Sequence, residues 1–167
     1  MRKSVVLGFL LVFALAPVAL QGQSDLLGDK DCFGSGLACA EGSSLGSWGV
    51  VVQTPGEDFD LYVIQTDVVQ VWTRTVAPGA YSAATVTFRT AGIADVRGPY
   101  AVFADGVYVG DMPLDGFGHI DVQTFSFAID PLALADGMVD ISFAPEMGDS
   151  WAIDYSELTY TAAVPEP

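Results

Sequence analysis

The chain has 167 residues, which is enough for one domain whose core buries roughly two-thirds of the unfolded surface. Acidic residues outnumber basic ones 21 to 6, and the formal net charge is -15 at pH 7. A surface this acidic repels phosphate backbones and anionic lipid headgroups, which argues against nucleic acid and membrane surfaces as partners and favours cations. Sixteen of the acidic residues are Asp, the short carboxylate typical of turns and calcium loops.

Residues 1–22 are predicted to be a secretory signal peptide. Two basic residues at positions 2 and 3 precede an apolar run over residues 5–20. Sixteen residues in a helix span about 24 Å, which is short of the roughly 30 Å hydrocarbon layer. We therefore expect cleavage between Ala19 and Gln23, an exported protein, and no permanent membrane span in the chain.

Residues 23–47 are rich in Gly, Ser and Asp and are predicted to be a loop region that carries both cysteines, Cys32 and Cys39. In an exported chain an even pair this close is most simply a disulfide, with two free thiols as the alternative. Such a bond would contribute about 2.5 kcal/mol in the chain-entropy model. Zinc would need about four nitrogen or sulfur ligands, and the chain offers His119 as the one further candidate.

From residue 48 to residue 161 the pattern of apolar residues and turns predicts a β-sandwich. The predicted strands are 48–53, 60–65, 68–76, 84–90, 100–104, 107–110, 122–129, 138–144 and 151–161. Asp105-Gly106 predicts a two-residue hairpin, and residues 131–135 predict a short helical connector. Strands at this spacing without helical crossovers predict an all-β chain: a single antiparallel β-sandwich of about nine strands, preceded by the helix of the signal peptide.

The last predicted strand, within residues 149–161, alternates aromatic and β-branched residues with small polar ones. This pattern is typical of a strand in the middle of a packed sheet. We therefore expect it to close the sandwich from an interior position. Asp154, between Ile153 and Tyr155, would then be available for a bound cation or for a structural hydrogen bond.

Asp29 and Asp31 stand two residues apart and are followed by Gly34. The opening of a calcium loop supplies its oxygen ligands in this way. An EF-hand is excluded, because Phe33 occupies its third ligand position and Ala40 stands where the bidentate Glu is needed.

The metal-site hypothesis therefore requires carboxylates from elsewhere in the chain. Asp154 is the first candidate, and Asp149 or Glu157 could add a further oxygen. A site made from Asp29, Asp31 and Asp154 would join the first and last parts of the domain. The alternative is that the two early residues form Asx turns on a solvated acidic surface.

The end of the chain, Val164, Pro165, Glu166 and Pro167, resembles the Pro-Glu-Pro motif that opens the sorting signal of PEP-CTERM proteins. In that family a hydrophobic helix and a basic tail follow the motif, and an exosortase processes it at the envelope. The resemblance implies that residues 162–167 are a tail beginning a truncated sorting signal. It also implies that the partners include an exosortase and the export machinery.

Residues 84–161 resemble a galactose-binding-like jelly roll, as found in secreted carbohydrate-binding modules. The matching segments are 87–92 (TFRTAG), 98–106 (GPYAVFADG) and 150–158 (SWAIDYSEL). In sugar-binding relatives the Asp of a similar last-strand motif often helps to hold a structural calcium together with early acidic residues. The resemblance implies the same role for Asp154 and the acidic loop 28–34.

Two further groups of residues are candidate sites for ligand binding or catalysis. Arg97 with Asp95, in a Gly-rich turn, could bind a ligand carboxylate or a sugar hydroxyl, or could form a simple surface pair. Gly42-Ser43-Ser44-Leu45-Gly46 fits the G-x-S-x-G nucleophile elbow, with His119 as the available base. That elbow needs a strand before Ser44 and a helix after it, whereas this one follows a loop and precedes a predicted strand.

These observations predict an exported, non-enzymatic envelope or extracellular-matrix protein of PEP-CTERM type with a structural or adhesive role. The alternative is a carbohydrate-binding module of galactose-binding-like fold that contacts extracellular polysaccharide. A serine esterase centred on Ser44 is a minor alternative. The expected cofactor is a structural Ca²⁺, and the identity of any ligand stays open.

Overall fold

The structure of the protein is a computed structural model. It describes residues 22–33, 40–45, 61–63, 70–91, 100–112, 121–144 and 151–164. The strands in these residues are β1 (Gly22–Gly28), β2 (Leu61–Val63), β3 (Gln70–Thr75), β4 (Tyr81–Ala91), β5 (Tyr100–Ala104), β6 (Val107–Met112), β7 (Val122–Ile129), β8 (Met138–Phe143) and β9 (Trp151–Ala162). A 3-10 helix at Pro131–Leu134 connects β7 to β8.

The strands form two antiparallel sheets. One sheet has the order β1-β9-β4-β7, with the short β2 also paired to β9, and the other has the order β3-β8-β5-β6. When β2 is left out, successive strands alternate between the two sheets, except that β5 and β6 form a hairpin within one sheet. This strand order is that of a double-sheet jelly roll. The predicted all-β antiparallel sandwich is confirmed. The predicted interior position of the last strand is also confirmed, because β9 lies between β1 and β4.

The predicted strands agree with the structure where the pattern of apolar residues is strong. The bounds of β5 and β7 are as predicted, and the Asp105-Gly106 hairpin has positive φ angles of 48° and 74° at its two central residues. The predicted connector is the 3-10 helix. The predicted strand 48–53 lies outside the described residues, as do residues 1–21 of the predicted signal peptide.

One strand was not predicted. β1 occupies Gly22–Gly28, which begins at the last residue of the predicted signal peptide and continues into the predicted loop region. Its sequence, GQSDLLG, contains no β-branched or aromatic residue. It forms a strand because all seven of its residues pair with β9, from Gly22 opposite Thr161 to Gly28 opposite Tyr155. Tertiary pairing therefore overrides a weak local preference at this edge.

Inward-facing residues of both sheets form the main core. Phe88 of β4 and Phe143 of β8 meet across the sandwich with ring centroids 5.1 Å apart in an edge-to-face contact. Both side chains are buried, at 0% and 3% exposure. Burial of such rings is a large stabilising contribution, since Phe to Ala changes in cores cost about 3 to 5 kcal/mol. In the described part of the chain, no helix is long and apolar enough to cross a membrane.

Arg74 ties the two sheets together at β1. It lies on β3, is 2% exposed, and donates from Nη2 to the main-chain oxygens of Asp25 at 2.6 Å and Ser156 at 2.8 Å. Its Nε is 2.9 Å from Asp25 Oδ2, in an ion pair whose angles fall short of a hydrogen bond. Burial lowers the pKa of Arg74, and the Asp25 carboxylate opposes this effect. The guanidinium therefore connects β3 to both β1 and β9.

We predict that Arg74→Ala destabilises the fold by about 2 to 6 kcal/mol, because it leaves the main-chain oxygens of Asp25 and Ser156 without this donor, at about 1 to 3 kcal/mol each. Lys30→Ala is the matched control. It breaks the Lys30–Glu157 pair, whose lysine side chain is 50% exposed, and should cost less than about 1 kcal/mol. Urea unfolding measures both variants. Equal losses of stability in the two variants would contradict the role given to Arg74.

Candidate metal centre

Asp154 lies at a β-bulge in the central strand β9. Against β4, Tyr155 pairs with Arg89 and Ile153 pairs with Thr90, so Asp154 is the extra residue between two successive pairs. On the other edge of β9, β1 pairing ends at Tyr155 and β2 pairing begins at Ile153. Bulges redirect side chains and are frequent at binding sites. Here the bulge coincides with the gap between β1 and β2.

The loop that leaves β1 turns sharply towards this gap. Gly28 has a φ of 86°, and Cys32 and Phe33 have φ of 66° and 57° in the left-handed region. That region costs a residue with a side chain about 1 to 2 kcal/mol. Asp29 Oδ1 accepts from the Asp31 main-chain N–H at 3.1 Å, which is an Asx turn of the kind given above as the alternative to a metal site.

Burial of the end of this loop compensates for its backbone conformation. Phe33 is 0% exposed, and its main-chain N–H donates to Asp154 Oδ1 at 2.8 Å. The ring joins a second apolar cluster below the loop. Its members are Cys32, Phe33, Leu45, Ala91, Val122 and Ala152. The loop is therefore anchored by packing and by one hydrogen bond to the bulge.

The structure brings together the three carboxylates that the sequence analysis selected. One oxygen each from Asp29, Asp31 and Asp154 lie within 4.8 Å of one another. Asp154 is 1% exposed, Asp29 is half-buried, and Asp31 is exposed. The cluster therefore has a buried floor on β9 and an open side on the loop.

The electrostatics of the cluster are unfavourable when no cation is bound. The pKa of Asp154 is raised to about 6, mainly by burial and in smaller part by the neighbouring charges of Asp31 and Asp29. The Phe33 N–H and the charge of Arg89 act in the opposite direction. The ionised carboxylate of Asp154 is therefore held in a place that favours its neutral form.

Glu157, a further predicted candidate, is engaged beside the cluster rather than in it. Its Oε2 accepts from Lys30 Nζ at 2.8 Å, and the Lys30 ammonium also lies 5.0 Å from the centre of the Tyr155 ring. Tyr155 is half-buried. These contacts fasten the other side of the loop to β9. The sequence analysis did not foresee this pair, because only the strand register brings position 30 beside position 157.

The arrangement suits a hard cation. Three carboxylates provide oxygen ligands only, and two of the three belong to a loop whose main-chain carbonyls are nearby in sequence. Ca²⁺ takes six to eight oxygens, whereas zinc prefers nitrogen and sulfur. The three Asp residues could therefore hold a metal ion of the calcium type.

Several predicted site residues are not covered by the structure. They lie outside the described residues: Cys39, Asp95, Arg97, His119, Asp149, Pro165, Glu166 and Pro167. The Arg97–Asp95 ligand site, the Cys32–Cys39 disulfide and the sorting motif therefore stay predictions. Val164, the first residue of that motif, is 63% exposed.

Ser44 is described, and its surroundings differ from those of a nucleophile elbow. It forms an isolated antiparallel bridge with Asp121, and residues 41 and 42 form a turn where the elbow needs a strand. The main chain around it is tied to β7, since the Val122 N–H donates to the Ser43 oxygen at 2.8 Å. The segment closes one side of the apolar cluster under the metal-site loop.

No protein-family model matches the sequence, and no curated protein matches it significantly. Among solved structures, the chain is similar to the CBM36-1 domain of a multidomain xylanase from the hindgut metagenome of Trinervitermes trinervoides, at 12% identity and a TM-score of 0.41. That alignment covers 66% of this chain and 90% of that one. A family 35 carbohydrate-binding module from Clostridium thermocellum aligns at 12% identity and a TM-score of 0.37, over 82% of this chain and 90% of that one.

A third similar structure is described as carbohydrate-binding module CBM36 in complex with calcium and xylotriose. It has 16% identity and a TM-score of 0.40, over 62% of this chain and 90% of that one. Identities and TM-scores at this level assign neither a family nor a ligand to this protein.

The raised pKa of Asp154 predicts how stability depends on pH in the absence of metal. Between the unfolded value of 3.8 and the folded value of about 6, the native state binds more protons than the unfolded state. Stability should therefore fall as pH rises through this window, by about 2 kcal/mol from pH 4 to pH 7. Asp154→Asn keeps an acceptor for the Phe33 N–H but cannot titrate, so this pH dependence of stability should disappear in the variant. Urea unfolding in EDTA across the pH range measures the difference, and parallel curves for the two proteins would refute the prediction.

Proposed function

We propose that Asp29, Asp31 and Asp154 hold a structural Ca²⁺, and that the protein is a calcium-stabilised, non-catalytic β-sandwich that binds polysaccharide outside the cell. The observation that carries the calcium part is the meeting of three carboxylates from the two ends of the domain within 4.8 Å. A cation at this point would link the loop after β1 to the central strand β9.

The energetic argument for a cation comes from Asp154. In the metal-free protein, burial and the two neighbouring carboxylates disfavour the charged form of Asp154. A divalent cation would reverse this penalty, because it favours all three groups in their ionised form. The same charges that destabilise the loop without metal would then fasten it with metal.

Calcium is favoured over magnesium by the nature of the loop. Mg²⁺ requires near-ideal octahedral geometry and retains several waters, whereas Ca²⁺ accepts a larger and more variable set of oxygens. The three Asp side chains can supply up to six oxygens, although Asp154 Oδ1 also accepts from Phe33. Main-chain carbonyls and water would complete the shell.

The polysaccharide part of the proposal is supported by the sequence resemblance of residues 84–161 to galactose-binding-like modules and by the acidic charge. A net charge of -15 disfavours nucleic acid and anionic lipid, while it tolerates an uncharged, hydroxyl-rich ligand. Export through the predicted signal peptide, and processing of the Val164–Pro167 motif by an exosortase at the envelope, belong to the same proposal.

Calcium added to EDTA-treated protein should raise the melting temperature by about 5 to 10 °C when its concentration is about 100 times its Kd. The rise should be lost in Asp154→Asn and in Asp31→Asn. Asp136→Asn is the matched control, because its carboxylate only accepts from the Met138 N–H in a turn remote from the site. Differential scanning calorimetry measures these shifts. An unchanged melting temperature in the wild type, or an equal rise in Asp154→Asn, would overturn the calcium proposal.

A non-catalytic module should hydrolyse neither p-nitrophenyl esters nor soluble polysaccharides above the buffer rate. Ser44→Ala should behave like the wild type, since Ser44 lies in a β-bridge and not at an elbow. Release of p-nitrophenol and of reducing sugar ends are the two measurements. Wild-type ester hydrolysis that disappears in Ser44→Ala would establish the esterase alternative instead.

A further inference from the structure

A row of side chains crosses the outer face of the four-stranded sheet. The register places Val71 opposite Ser142, Ser142 opposite Phe103, and Phe103 opposite Tyr108. These four residues, here called the aromatic row, come from β3, β8, β5 and β6 in their order across the sheet. Neighbouring strands are about 4.8 Å apart, so the row is about 14 Å long.

The row points away from the core. In β5 the residues on either side of Phe103, Val102 and Ala104, are 0% and 2% exposed, and strand alternation places Phe103 on the opposite face. Tyr108 is 55% exposed and Val71 is 50% exposed. Among the described residues, neither ring of the row belongs to an apolar core cluster. The half-buried Phe103 and the exposed Tyr108 therefore lie on the outer face and outside the core of the sandwich.

The two rings are held in a fixed relation to each other. The centroids of Phe103 and Tyr108 are 5.9 Å apart and their planes are inclined by 69°. The nearby Asp111 carboxylate, chiefly through a side-chain hydrogen bond, raises the pKa of the Tyr108 hydroxyl. A bulge in β6 contributes to the arrangement, because Val109 is skipped between the pairs at Gly110 and Tyr108.

Carboxylates flank the row on the same face. Asp111 pairs with Ala101, which is on the same face of β5 as Phe103, and Asp140 Oδ1 accepts from the Thr73 hydroxyl at 2.6 Å. Within the described parts of the four strands, the one basic residue is Arg74, and its side chain is buried on the inner face. The outer face therefore combines apolar rings with hydroxyls and anionic acceptors, and carries no cation in these residues.

We propose that the aromatic row is the polysaccharide-binding face of this protein and that its ligand is a neutral glycan chain. The inference rests on the polysaccharide-binding function proposed above and locates its site. The C–H faces of a sugar ring stack on aromatic rings, and its hydroxyls donate charge-assisted hydrogen bonds to carboxylates such as Asp111. A polyanionic glycan would instead meet repulsion from that carboxylate and from the net charge of -15.

A second copy of the chain fits this face less well. A stable protein interface buries about 800 Å² on each partner, which is far more than one row of four side chains covers. Two copies meeting face to face would also bring two acidic faces together, since each carries Asp111 and Asp140 and no exposed basic residue in the described parts of its four strands. A narrow chain with hydroxyl groups avoids both difficulties.

The test is affinity electrophoresis of the mature protein in gels that contain a soluble neutral polysaccharide, with xylan, galactan and hydroxyethyl cellulose as separate probes and alginate as the anionic comparison. The wild type should be retarded by at least one neutral probe and not by alginate. Tyr108→Ala should weaken binding at least about 10-fold, the loss typical of a removed aromatic anchor. Leu132→Ala is the matched control, since it removes an apolar side chain that is 78% exposed on the 3-10 helix. Calorimetry checks that both variants remain folded.

Each other outcome overturns the proposal in a distinguishable way. Retardation of the wild type that survives in Tyr108→Ala would leave polysaccharide binding in place and remove the aromatic row as its site. If no neutral probe retards the wild type, both polysaccharide binding and its assignment to the aromatic row are wrong. The calcium proposal does not depend on this result, because the melting-temperature shift tests it. A dimer in sedimentation experiments that dissociates in Tyr108→Ala would make a second copy the occupant of this face.

Discussion

The buried carboxylate of Asp154 is the group on which this end of the sandwich depends. It stands at a bulge in β9, which has neighbouring strands on both edges, and it accepts a hydrogen bond from the Phe33 N–H at 2.8 Å. Through that bond the loop after β1 keeps Cys32 and Phe33 in left-handed conformations that an isolated loop would not maintain. The same burial makes the ionised form of Asp154 costly. A cation bound at Asp154 would therefore have a large effect on the stability of the loop.

β1 draws its stability almost entirely from partners outside itself. Within the described residues it is an edge strand with a sequence poor in strand-forming residues. It is retained there by the ladder with β9, by the buried Arg74, and by the loop whose Phe33 N–H donates to Asp154. Segments of this kind are the first to open in native-state fluctuations. A bound Ca²⁺ would therefore act mainly on the closure of β1 against β9. The aromatic row lies on the other sheet, so the proposed metal site and the proposed ligand-binding face are on different sheets.

The sequence was sufficient for the parts of the fold that local chemistry determines. Alternation in residues 100–104 and 122–129 and the turn preference of Asp105-Gly106 predicted β5, β7 and the hairpin between β5 and β6, because side-chain period and positive φ are local properties. Asp29, Asp31 and Asp154 were selected from spacing and from a resemblance, and the structure places them together. β1, the bulge at Asp154 and the aromatic row were not predicted, since each is set by strand register between residues distant in the chain. No local pattern encodes that register.

The most direct measurement is a crystal structure of the mature protein grown in calcium, with the ion identified by its anomalous scattering. We expect one ion bound by carboxylate oxygens of Asp29, Asp31 and Asp154 at about 2.3 to 2.6 Å, with the Asp154 bulge retained in β9. A structure at saturating calcium in which the three side chains surround only water, or in which Asp154 pairs regularly with β4, would contradict this expectation.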